Sequence, residues 1–178
     1  MINPALPELI EPYRLADREI ALEGTYEGAK LARVSEAVLE AGKLQVSAGF
    51  RRDEEGFRVV EGAVSVALSV TCERCMNPMP YDLETEFLLV MVAEEAQLSS
   101  VPKRYEPWLV APGGDVPIAE LLEDTVLLAL PQFPMHPPGE CRIKTSFGAE
   151  EDATDASPDT DKPNPFSVLA ELKPGRKK

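Results

Sequence analysis

Hydrophobic and polar positions alternate along four stretches of this chain. In residues 18–24, Ile20 and Leu22 stand two apart, flanked by Glu19 and Glu23. In residues 43–50, Leu44, Val46, Ala48 and Phe50 fall on one face. A polar turn over 51–56 leads into 57–70, where Val64, Val66, Leu68 and Val70 repeat at period two and Gly62 is a candidate bulge. Residues 81–92 do the same with Tyr81, Leu83, Thr85, Phe87 and Leu89. Period two is the spacing of side chains on one face of a strand. The succession of strand, polar turn and strand predicts antiparallel pairing.

Two other segments carry the helical period. Residues 29–41, closed by Gly42, form the first. The second covers 117–130, with Ile118, Leu121, Leu122, Val126 and Ala129 on one face. Asp115 is placed to cap it, Pro117 suits its first turn and Pro131 stops it. Glu120, Glu123 and Asp124 form its polar stripe, read as a solvated face and not as paired carboxylates for acid–base work. Strands with one or two helices predict an α+β domain, its core an antiparallel β-sheet or barrel-like, with room for a structural zinc site.

Composition changes after Phe147. Residues 150–161 carry six acids, no base and no large apolar side chain. Such a segment cannot bury enough surface to offset its ordering entropy, so a disordered acidic linker is expected over 149–161. One domain is expected over 1–148. Beyond the linker, 162–178 reads as a short helical motif with a basic end. Asn164 caps it, Pro165 takes its first position, and Phe166, Leu169 and Leu172 form one apolar stripe. Lys173, Arg176, Lys177 and Lys178 complete the basic end. A sticky segment past a spacer has the form of a partner-binding motif.

Charge narrows the function. The 178 residues carry a net charge of −13, opposite to the basic balance by which most nucleic-acid binders neutralise phosphate. Contact with RNA must then use a local basic patch or a basic partner protein. Residues 1–7 hold no basic stretch followed by an apolar run, so no signal peptide is expected. No apolar run approaches the roughly 20 residues of a membrane span. An odd number of cysteines, three, argues against a disulfide framework. A soluble cytoplasmic protein with no membrane partner and no small-molecule substrate is expected.

Those three cysteines and the only histidine make the main candidate site. Cys72 and Cys75 are spaced as a knuckle at the end of a strand, and His136 and Cys141 lie in a Pro-rich loop some sixty residues on. Soft thiolates in tetrahedral number favour zinc, and four protein ligands would make the ion structural. Two other readings stay open: small buried cysteines beside a loop histidine, or a redox Cys-x2-Cys pair. The redox pair usually starts a helix, which the prolines at 78 and 80 forbid here. Lys103, Arg104 and Tyr105 beside Trp108 read as a core tryptophan flanked by solvated charges, with base stacking as the functional alternative. No phosphate loop, nucleophile elbow or His-Glu-x-x-His pattern occurs.

Several segments together resemble the YceD family, the large ribosomal RNA subunit accumulation proteins. They are Cys72-Glu-Arg-Cys75 followed by a strand, Tyr105-Glu-Pro, the block from Leu122 to Pro131, His136 with Cys141, and Lys162-Pro-Asn-Pro-Phe166 with Val168 and Leu169. The resemblance spans essentially the whole chain. It implies a non-enzymatic role in synthesis, processing or stability of 23S rRNA and in large-subunit assembly, with a large-subunit precursor (ribosomal protein or 23S rRNA) as partner. It implies no catalytic residues. The rivals are an RNA nuclease or modifying enzyme and a thiol redox protein using Cys72 and Cys75.

Overall fold

The alternating stretches become a meander of long antiparallel strands. A computed structural model describes residues 4–141; the linker expected over 149–161 and the motif expected over 162–178 lie outside them. In chain order the elements are β1 (Leu9–Ile10), α1 (Pro12–Asp17), β2 (Ala21–Glu27), α2 (Ala32–Ala37), β3 (Glu40–Ala41), β4 (Lys43–Arg52), β5 (Arg58–Thr71), β6 (Pro78–Val92), β7 (Glu106–Leu109), β8 (Val116–Pro117) and α3 (Ile118–Ala129). Short 3₁₀ turns occupy Gly28–Lys30 and Glu95–Ser100.

The main sheet runs β2-β4-β5-β6-β7, with β3 also on β5. All its pairings are antiparallel except β6 with β7. It is an open sheet and not a barrel, because β2 and β7 stand at opposite ends of the order. The N-terminal segment covers the β2 edge, where Leu6 N–H donates to the Thr25 carbonyl at 2.9 Å. A separate two-stranded pair joins β1 to β8.

One face of the sheet is packed. Leu44, Val46, Ala48 and Phe50 of β4 are buried as their alternation predicts, with Val64, Val66, Leu68 and Val70 beside them. Ala16 of α1, Val34 of α2 and Ile118, Leu122 and Val126 of α3 complete this core. A smaller cluster of Val59, Val90, Val92 and Tyr105 forms separately from it.

The structure differs from the sequence-based expectation at four places. The strand expected over 18–24 starts three residues later, because α1 precedes it and Glu19 turns the chain with a φ of 51°. The helix expected over 29–41 survives only as α2, because β5 captures the residues after it. Leu39 N–H donates to the Ser69 carbonyl at 2.8 Å and Gly42 N–H to that of Ala67 at 2.9 Å. Gly62 is no bulge. Its pairing with Ala48 and Phe87 is in unbroken register, and a Cβ there would stand 2.0 Å from the Ser47 carbonyl oxygen. Asp115 does not cap α3. Pro117 holds the cap position as the last residue of β8, and Ile118 N–H donates to the Glu8 carbonyl at 3.0 Å.

Candidate metal centre

Two backbone devices bring the four candidate ligands together. The first is the β5–β6 turn, which Cys72 opens. Cys72 N–H donates to the Asn77 carbonyl at 3.0 Å, and Met76 N–H donates back to the Cys72 carbonyl at 2.8 Å. Closing so tight a loop needs one left-handed residue, and Met76 supplies it at φ 57°. The second device comes after α3. Prolines at 131, 134, 137 and 138 prevent the helix from continuing. The segment is pinned to the knuckle where Glu73 N–H donates to the Pro134 carbonyl at 2.8 Å. A turn from Pro137 to Glu140, with Gly139 at φ 93°, then returns Cys141 toward the sulfurs.

The Cys72 and Cys141 sulfurs stand 3.8 Å apart, and His136 Nδ1 lies 3.4 Å from Cys75 Sγ and 3.7 Å from Cys141 Sγ. All four ligand atoms lie within 4.8 Å of one another. Ligands about 2.3 Å from a tetrahedral ion are themselves about 3.8 Å apart, so the four atoms already mark the corners an ion of that size requires. All three cysteines are free thiols. Cys72 is fully buried in the main core, while Cys75, His136 and Cys141 are half-buried.

The sulfurs differ in their surroundings. Burial opposes ionisation of Cys72, but the backbone N–H groups of His136, Cys75 and Arg74 and the His136 ring outweigh it, bringing the thiol down to about 5. The His136 N–H reaches the sulfur at 3.4 Å. Burial and the adjacent Cys72 and Cys75 sulfurs push Cys141 the other way. Arg74, which motif spacing does not single out, donates from Nη1 to Cys141 Sγ and from Nη2 to Met135 Sδ, both at 3.7 Å. Its one sequence signal is its place between the two cysteines of the knuckle.

The other candidates separate. Of the acidic stripe on α3, Glu120 and Asp124 are exposed as expected, but Glu123 is buried and accepts the Arg33 N–H at 2.9 Å. It faces α2 and not solvent, because α2 packs where the wheel drawn for α3 alone leaves space. Asp124 pairs with the Arg33 guanidinium. Trp108 is half-buried against the main core, and Arg104 pairs with Asp53 and Glu55. Tyr105 is buried with its hydroxyl donating to Asp53 Oδ2 at 2.7 Å, so its ring is committed inside the protein. The expected partner-binding residues Asn164, Pro165, Phe166, Leu169, Leu172, Lys173, Arg176, Lys177 and Lys178 lie outside the described residues. Among the described residues no helix is long and apolar enough to cross a membrane.

Matches with known proteins overlap the site. The family described as large ribosomal RNA subunit accumulation protein YceD matches residues 60–173, a span that includes all four candidate ligands. The large ribosomal RNA subunit accumulation protein YceD of Haemophilus influenzae is 33% identical over 171 residues, covering 94% of this chain and 96% of its own. No solved structure matches the chain.

Proposed function

This chain belongs to the YceD family, and from that premise we propose that it is a non-enzymatic factor supporting the synthesis, processing or stability of 23S rRNA and the assembly of the large ribosomal subunit. The observation that carries the proposal is a relative of that name aligned along nearly its whole length and nearly all of this chain. The partner in this reading is a large-subunit precursor, met through a ribosomal protein or through 23S rRNA, in the cytoplasm. The net charge of −13 favours a basic protein surface for most of the contact. A single domain over 1–148 carries the fold, an acidic linker spans 149–161, and the motif over 162–178 reaches the partner.

In the same reading Cys72, Cys75, His136 and Cys141 hold one zinc ion. The fit rests on free thiols whose spacing matches a tetrahedral site. Four protein ligands leave no open position, so the ion staples the segment after α3 to the β5–β6 turn. The burial of Cys72 works against the thiol redox alternative, because a redox cysteine must be reached.

Depletion tests the function. Cells lacking the protein are expected to accumulate less 23S than 16S rRNA, and re-expression is expected to restore the ratio. An unchanged ratio on depletion would end the proposal.

A further inference from the structure

We infer that Arg74 is the charge-balancing partner of the metal centre: its guanidinium holds the Cys141 sulfur in the ligand position, so the grip on the ion depends on a residue that is not a ligand. The inference rests on the proposed zinc site. Three thiolates and a neutral imidazole around a divalent ion leave one net negative charge. A half-buried centre of that charge is stabilised by a cation beside it. Arg74 is that cation, with Nη1 on Cys141 Sγ and Nη2 on Met135 Sδ.

Two further observations point the same way. The four ligands are not held equally. Cys72 Sγ receives backbone N–H groups from the knuckle and from His136. Among the described residues, Cys141 Sγ receives no donor from outside the ligand set except Arg74. The second observation is what Arg74 leaves alone. Arg14, Arg33, Arg51, Arg52, Arg58 and Arg104 each pair with a carboxylate. Arg74, like Arg18, pairs with none among the described residues, in a chain holding 31 acidic side chains. Its planar fork instead spans two sulfurs, one on Cys141 and one on the residue before His136.

The test uses the full chain as wild type, Arg74→Gln and Arg74→Lys. Each is stripped of metal, reloaded with zinc and titrated against a chromophoric chelator. Arg74→Gln is expected to bind zinc about tenfold or more weakly, the scale on which groups behind the ligands act, with Arg74→Lys between it and the wild type. Cobalt loading supplies the second reading: Arg74→Gln is expected to lose thiolate-to-cobalt absorption, as Cys141→Ser does. Equal zinc affinity in wild type and Arg74→Gln overturns the inference and leaves the zinc site standing. Equal loss in Arg74→Lys and Arg74→Gln overturns charge balance as the cause. Lower stability of metal-free Arg74→Gln than of the metal-free wild type would make Arg74 an ordinary structural residue, which also overturns it. A wild type that takes up no zinc overturns the zinc site itself, and does so before any variant is compared.

Discussion

Glu123 shows how a residue is decided by something far from it in sequence. Only 8% of it is exposed, and its carboxylate accepts the N–H of Arg33, the second residue of α2. The first N–H groups of a helix lack partners within it, and α2 receives no cap from its own N-cap side chain. Glu123 supplies that cap from α3, with its charge at the favourable end of the helix. Glu123→Ala is expected to lower stability by about 1–2 kcal/mol in urea unfolding, with Glu123→Gln retaining part because its amide oxygen still accepts. An unmoved Glu123→Ala midpoint would remove the capping role. Periodicity along α3 could place Glu123 on a face but could not reveal that α2 lies over it. The four candidate ligands were legible for a different reason: soft donors are few here, and the knuckle spacing is local. The same principle makes the metal testable at one residue. Because ion binding is linked to folding, a chelator is expected to lower the melting temperature of the wild type and leave Cys72→Ser unmoved. A chelator that leaves the wild type unmoved would count against a structural ion.

Among the elements, the long strands could be read directly and the short ones could not. β4, β5 and β6 run 10, 14 and 15 residues and bury one face, so the alternation repeats enough to stand out. β1, β3 and β8 have two residues each, too few to show a period. They exist because neighbouring backbone offers partners. The β4–β5 turn is held by a side chain that no period reports. Asp53 Oδ1 accepts the N–H groups of Glu55 and Phe57, and Oδ2 accepts the Tyr105 hydroxyl. One carboxylate thereby closes the turn and ties it to the chain before β7. Burial raises the Asp53 pKa, but the Tyr105 hydroxyl, the Phe57 N–H, the Arg104 guanidinium and the Glu55 N–H outweigh it, leaving the carboxyl below its ordinary 3.8. A pKa lowered on folding contributes stability that is complete above the unfolded value and is lost as pH falls through the folded one. Asp53→Ala is therefore expected to be less stable than the wild type by about 2 kcal/mol at neutral pH. The gap should narrow once pH drops below 3.8. A gap that stays constant into that acid range would show that the carboxylate charge contributes nothing.

For the whole molecule, the proposed function requires a chain of net charge −13 to engage a particle rich in phosphate. The described domain answers only in part, since most of its arginines are spent on its own carboxylates. The C-terminal motif is where composition changes sign: Lys173, Arg176, Lys177 and Lys178 come after an apolar stripe of Phe166, Leu169 and Leu172. The short helix expected after Asn164, with Pro165 at its first position, would gain too little from its own hydrogen bonds to form alone in water, so its stripe would need a surface to order it. Among the described residues, the buried core of the sheet and its helices is built from side chains between Leu6 and Val126. Removing 162–178 is therefore expected to leave that domain folded, by an unchanged cooperative melt, while abolishing co-sedimentation with large-subunit precursors. Salt separates the two kinds of partner. Four basic side chains on RNA phosphates would give the full-length protein a log–log salt slope of about −3 to −4 that disappears when those four are neutralised, whereas contact of the acidic domain with a basic protein surface would keep its salt dependence after that change. Full co-sedimentation by the truncated chain, or its failure to fold, would refute the role of the motif.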